Sequence, residues 1–258
     1  MRVLILGGTT EGYALAEALA RDSRFAATYS LAGRTKTPLL PGGATRIGGF
    51  GGAQGLIDWM RGEKIDAIVD ATHPYAARIS ANAVVAANAL DLPLLRLQRP
   101  AWVPAAGDDW HEAADANAAV TALGPEPRTV FLTIGRTEVA AFRAAPQHRY
   151  LIRSVDAPEK NGLPPRAEVI LHRGPFGLDD ELSLMRAHGI GVVVSKNAGG
   201  EAAHAKIRAA RQLQIPVVMI ARPPLPAAPE CRDVEAALAW LQDEITSAHG
   251  REPSERGV

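Results

Sequence analysis

Short runs of apolar residues recur along the chain, separated by longer amphipathic or Ala-rich stretches. Strand-length runs occupy residues 2–6, 26–31, 44–47, 66–70 and 93–97, then 129–133, 149–153, 167–171, 191–195 and 216–221. Helices are predicted between them at 11–21, 54–61, 76–90, 114–123, 137–143, 178–187, 203–213 and 233–246. The strand runs are continuously apolar rather than alternating, as strands buried on both faces require, and their regular exchange with helices predicts parallel βαβ units. The expected fold class is α/β, with doubly wound parallel sheets.

The two halves of the pattern resemble each other. LPLLRLQRP at 92–100 matches IPVVMIARP at 215–223, with Pro93 to Pro216 and Arg99 to Arg222 sharing an offset of 123 residues. VLILGGTTE from Val3 aligns with VFLTIGRTE from Val130 at an offset of 127. Such self-similarity predicts two related domains, 1–125 and 126–246. Residues 247–258, SAHGREPSERGV, lack apolar periodicity and are expected to form a disordered tail.

Composition narrows the partners. Lys plus Arg and Asp plus Glu are 28 each in 258 residues, so no global field favours nucleic acid or an anionic membrane, and a polyanionic ligand needs a local cluster of cations. The single cysteine, Cys231, excludes an intrachain disulfide and suits a reducing compartment. The first apolar run meets glycine after five residues, too short for a signal-peptide core or a membrane span. A cytoplasmic protein, working as a monomer or weak dimer without nucleic acid or membrane, is expected.

Candidate chemistry gathers at predicted strand ends, where doubly wound sheets bind ligands. The first strand runs into Gly7-Gly8-Thr9-Thr10-Glu11-Gly12, a turn that lets backbone approach a phosphate at a helix N-terminus; a tight turn without a ligand is the competing reading. The second strand ends in Ala32-Gly33-Arg34-Thr35-Lys36, where a carboxylate for the ribose of NAD is absent and Arg34 suits the 2′-phosphate of NADP. Glycines 48, 49, 51 and 52 either line a cofactor site or form a loop. The fourth strand ends in Asp70-Ala71-Thr72-His73-Pro74-Tyr75, which offers a group that titrates near neutrality. The corresponding strand of the second half ends in Ser195-Lys196-Asn197-Ala198-Gly199-Gly200, ahead of Lys206. Arg96, Arg99, Arg136, Arg153 and Arg222 also fall at strand ends or turns. The histidines have no metal-ligand spacing, so no metal is expected.

Taken together, ILGGTTEG at 5–12, AGRT at 32–35, DATHPYA at 70–76, KNAGG at 196–200 and IPVVMIARP at 215–223 resemble the precorrin-6A reductase family of cobalamin biosynthesis, in order from Met1 to about Ile245. Ala198 departs from the Ser that relatives often carry. The resemblance implies two Rossmann-like domains that exchange their final strands, with coenzyme and tetrapyrrole bound between them. It implies NADPH-dependent reduction of one macrocycle double bond, at carbons 18 and 19, in either the metal-free or the cobalt-containing substrate. Under it, Gly7, Gly8, Thr9, Thr10, Glu11, Gly12, Arg34 and Thr72 are expected at the coenzyme, and His73 and Tyr75 at the reacting centre. Arg136, Arg153, Lys196, Asn197, Gly199, Gly200, Lys206 and Arg222 are expected at the substrate's carboxylates. The alternatives are an NADP-dependent reductase of another anionic small molecule and a non-catalytic nucleotide sensor.

Overall fold

A computed structural model describes residues 1–33 and 37–249. In chain order the first stretch supplies β1 (Arg2–Leu6), α1 (Thr10–Leu19), β2 (Ala26–Leu31), β3 (Ala44–Ile47), α2 (Ala53–Gly62), β4 (Ala67–Asp70), α3 (Ala77–Leu90) and β5 (Leu94–Leu97). The middle supplies β6 (Trp110–Ala113), α4 (Ala116–Ala122), β7 (Thr129–Thr133), a 3-10 helix (Val139–Ala144), β8 (Arg149–Ser154), β9 (Ala167–Leu171), α5 (Leu178–Ala187), β10 (Val192–Lys196), α6 (Ala205–Gln212) and β11 (Val217–Ile220). The chain closes with β12 (Glu230–Cys231) and α7 (Val234–His249).

These elements form two compact units, Met1–Arg99 with Pro224–Val258, and Pro100–Pro223. Each is built on a six-stranded parallel sheet, ordered β12-β5-β4-β1-β2-β3 in the first and β6-β11-β10-β7-β8-β9 in the second. Read outward from β1 and from β7, both have the order of a doubly wound nucleotide-binding sheet, except that the sixth strand is β12, from the C-terminal part of the chain, in the first and β6, which precedes β7, in the second.

The expected division at residue 125 is therefore corrected to Arg99/Pro100, with a return at Pro223/Pro224. The reason is strand exchange. β6 pairs with β11, and β12 pairs with β5 at Glu230↔Arg96 and Cys231↔Leu97. Neither strand was predicted, because each is short and largely polar or exposed, so its place depends on an open sheet edge rather than on its own apolar run. Each is followed by an Asp-capped helix. Asp115 accepts from the Ala118 amide at 2.8 Å ahead of α4, and Asp233 from the Ala236 amide at 2.8 Å ahead of α7. The 137–143 segment is a 3-10 rather than an α-helix, and α7 runs to His249, past the expected end at 246.

Side chains of β1 show why the sheet needs helices on both faces. Val3 and Ile5 pack with Leu15 and Leu19 of α1 and Ala237 and Leu241 of α7. Leu4 and Leu6 turn the other way, onto Leu56 and Met60 of α2 and Ala83 and Ala86 of α3. In the second unit Phe131, Val193 and Met219 pack under Leu182 and Met185 of α5 and Ile207 of α6. No described helix is long and apolar enough to cross a membrane.

Candidate active site

In a doubly wound sheet the strand order reverses at one point, and the loops leaving the carboxyl ends of the two strands there diverge to leave a crevice. In the first unit those strands are β1 and β4, which places residues 7–12 beside residues 71–76. Thr9 ties the two loops together. Its hydroxyl donates to the Ala71 carbonyl at 2.9 Å and accepts from the Gly12 amide at 3.1 Å, capping α1. Gly12 is needed for this closeness, since a Cβ there would lie 2.9 Å from the Ala71 Cβ.

Beneath the turn lies Tyr29 of β2. A side chain at Gly7 would overlap its ring, and its hydroxyl accepts from the Gly8 amide at 3.2 Å. Burial pushes the Tyr29 phenol up, so it remains protonated. Above the turn, a Cβ on Gly8 would meet, among the described residues, only the His73 amide nitrogen, at 3.8 Å. The first amides of α1 have no acceptor within the helix, and that of Gly12 is met by the Thr9 cap. Glu11 would oppose an anion here, but Arg99 holds its carboxylate at 3.1 Å and neutralises it. The turn therefore fits the phosphates of a dinucleotide, with Thr9 and Gly12 shaping it and Gly8, Thr10 and Glu11 presenting backbone. Arg34 lies outside the described residues.

The β4 loop is set from within. Asp70, 2% exposed, accepts from the Thr72 hydroxyl at 2.7 Å and the Thr72 amide at 3.2 Å, and that hydroxyl lies 3.2 Å from Ser80 Oγ. Thr72 thus shapes the loop with its side chain. His73 Nδ1 accepts from the Tyr75 amide at 3.3 Å, so the proton of a neutral ring sits on Nε2. The Tyr75 ring lies 5.6 Å from that of His73.

In the second unit the reversal falls between β7 and β10. The turn after β7 carries Gly135 with φ +85°, half-buried Arg136 and Glu138, and leads into the six-residue 3-10 helix. The Lys196 ammonium at the end of β10 forms an ion pair with the Glu138 carboxylate. Gly199 and Gly200, both at φ +71°, bend the loop that follows. Arg222 donates from Nε to the Asn197 carbonyl at 2.9 Å and from Nη2 to the Ala198 carbonyl at 3.3 Å.

Three expected substrate contacts have their polar groups turned inward. The Asn197 amide is spent on Trp102, accepting from its N–H at 2.8 Å and donating to its carbonyl at 2.9 Å. Lys206, 4% exposed, donates to the Ala203 carbonyl at 2.9 Å and lies over the Trp102 ring. Arg153 pairs with buried Glu181 at 2.6 Å and stacks on Phe176 at 3.6 Å, and desolvation pulls its pKa down. Tyr29, Ser80, Trp102 and Glu138 were not foreseen. Glu138 alone left a signal, an acid in the same turn as Arg136. Among the described residues no group of three or more His, Cys, Asp or Glu is placed to hold a metal.

Paired glycine turns at the reversal points of two parallel sheets define a two-unit, Rossmann-like α/β protein. Residues 2–242 match the family described as precorrin-6x reductase CbiJ/CobK. The chain belongs to that family, and as a reductase it implies a nicotinamide cofactor. It is 51% identical over 241 residues to the precorrin-6A reductase of Rhodococcus erythropolis, covering 93% of this chain and 97% of that one. With the precorrin-6A reductase of Rhodobacter capsulatus it is 46% identical over 257 residues, covering 100% and 99%. A solved structure of CobK precorrin-6A reductase superposes with a TM-score of 0.90 at 46% identity, covering 95% of this chain and 97% of that one.

Proposed function

We propose that the protein reduces metal-free precorrin-6A with NADPH, adding hydride and a proton across the double bond at carbons 18 and 19 during cobalamin biosynthesis. The observation that carries this reading is near-full-length identity of 51% and 46% to two relatives that share the name precorrin-6A reductase. NADPH supplies the hydride when bound. Residues 7–12 cradle its phosphates with backbone amides, and Arg34 meets the 2′-phosphate. Thr72 holds the β4 loop so that His73 Nε2–H and Tyr75 meet the ligands. In the second unit Arg136, Lys196 and Arg222 receive substrate carboxylates, on a loop bent at Gly199 and Gly200. Asn197, Lys206 and Arg153 brace that surface from inside. The macrocycle is its own electron sink, so the protein's work is alignment and exclusion of water.

The setting proposed is the cytoplasm, as a monomer or weak dimer without a nucleic-acid partner, in keeping with equal numbers of acidic and basic residues. An anaerobic absorbance assay with precorrin-6A, its cobalt form, NADPH and NADH tests the reading. One NADPH oxidised per metal-free macrocycle, over many turnovers, is expected. A binding spectrum without consumption overturns reduction; faster turnover of the cobalt form or with NADH overturns the substrate or the coenzyme assignment.

A further inference from the structure

A chain of polar groups, buried at Arg96, Asp70 and Thr72, runs from the exchanged strand β12 to the β4 loop. Arg96 of β5 is 3% exposed, and its guanidinium is shared among three segments. Nη1 donates to Glu230 Oε1 of β12 at 2.7 Å, and Nη2 to the Pro226 carbonyl at 2.9 Å. Nε points to Asp70 Oδ2 but stops at 3.7 Å, beyond hydrogen-bond reach, and has no hydrogen-bond partner among the described residues. Asp70 spends its other oxygen on the Thr72 amide and hydroxyl, immediately before His73.

An unpaired donor on a buried cation is costly, and a carboxylate 3.7 Å away would satisfy it after a small movement. Glu230 and the Pro226 carbonyl anchor the other two nitrogens of Arg96. From this geometry we infer that Glu230 is a positioning residue: by anchoring Arg96 beside Asp70 Oδ2 it holds that carboxylate with Oδ1 turned to Thr72, and thereby fixes the His73–Tyr75 loop. Exchange of the last strand thus does more than complete a sheet, since it sets the geometry of a loop that its own part of the sequence does not contain. The kinetic consequence rests on the reading of that loop as ligand-binding; the structural coupling does not.

Two measurements separate them. Glu230 is 54% exposed at its side chain, so Glu230→Ala is expected to fold. Hydrogen exchange on the protein without ligands should show the amides of Thr72, His73 and Tyr75 exchanging about tenfold faster in Glu230→Ala, with those of Val3 to Ile5 unchanged. Glu230→Gln, which keeps an acceptor for Nη1, should recover most of the protection. In turnover, Glu230→Ala should weaken NADPH and lower kcat by a similar factor while leaving the KM for precorrin-6A unchanged. Loop protection equal to wild type, or loss spread evenly over the first unit, overturns the coupling. Selective loosening of the loop with unaltered kinetics upholds the coupling and overturns the ligand role of the loop.

Discussion

The two units share one strand order but offer an anion different groups. After β1 the first unit places a ten-residue α-helix capped by Thr9, so backbone amides and a helix dipole converge on a glycine turn. After β7, at the equivalent place, the second unit has only a 3-10 helix of six residues whose first residues carry no side-chain cap. Its turn instead carries Arg136 and the counter-charge Glu138, which pairs with Lys196 at the end of β10. A dipole suits a phosphate pressed against backbone, whereas mobile side-chain cations suit carboxylates spread around a macrocycle. Topology alone therefore does not give the two turns the same chemistry; the element that follows the first strand of each sheet does. Elsewhere the units remain alike. Arg46 stacks on Phe50 at 3.8 Å in the loop before α2, and Arg153 on Phe176 at 3.6 Å in the loop before α5.

The comparison breaks first at the proton. With the β4 loop of the first unit at the reacting centre, His73→Ala should lower turnover at saturating ligands by about 10²- to 10⁴-fold, with far less effect on NADPH binding. Stopped-flow reduction and coenzyme titration decide this. Should Lys196→Ala show that loss and His73→Ala none, the proton comes from the second unit.

Next in size is coenzyme choice. Arg34→Ala should weaken NADPH by about 10- to 100-fold, the loss of one charge-assisted contact of about 1.5–3 kcal/mol, and leave NADH untouched. Equal losses for both coenzymes would remove the 2′-phosphate from the end of β2.

Lys196→Ala should raise the apparent precorrin-6A constant by roughly tenfold, flatten its dependence on salt and spare NADPH. Glu138→Gln should leave the ammonium less restrained and act in the opposite direction on substrate affinity. Loss of NADPH affinity in Lys196→Ala would reverse the allocation of ligands to the two units.

The smallest effect concerns acid. His148 in the second unit is fully buried; its Nδ1 accepts from the Arg128 amide at 3.2 Å, and desolvation lowers its pKa from 6.5. Above about pH 6.5 both folded and unfolded forms are neutral there and the group contributes no pH dependence. As pH falls below that value the unfolded chain takes up a proton that the folded one refuses, so stability declines until the folded pKa is passed. Exchange measured at pH 7 and pH 5.5 should show the second unit loosening in acid through this group, and His148→Asn should flatten that slope without altering the first unit.

Much of this was legible from local pattern. Ten of the strands were read from apolar runs, since a strand covered on both faces, as β1, β4, β5 and β11 nearly are, has little choice of residue, and β1, β2, β3, β7 and β9 begin and end where the runs do. The turn at residues 7–12 and the loop after Asp70 were legible because backbone approach and strand-end chemistry leave glycines and polar residues in fixed order. Arg153 and Lys206 were read as ligand cations because a charge at a strand end, or on the helix after it, looks alike whether it faces a ligand or Glu181 and Trp102. Only burial separates those cases.

What the sequence determined by itself is the α/β class, the doubled βα pattern and the glycine turns, all products of interactions within a few residues. The tertiary structure alone decided where the units part, which strands, β6 and β12, change places, and that Glu230 reaches Arg96 across 134 residues. An edge strand gains its hydrogen bonds from whichever sheet offers a bare edge, and a buried ion pair forms wherever packing brings its halves together. Neither leaves a periodic trace in the chain that makes it.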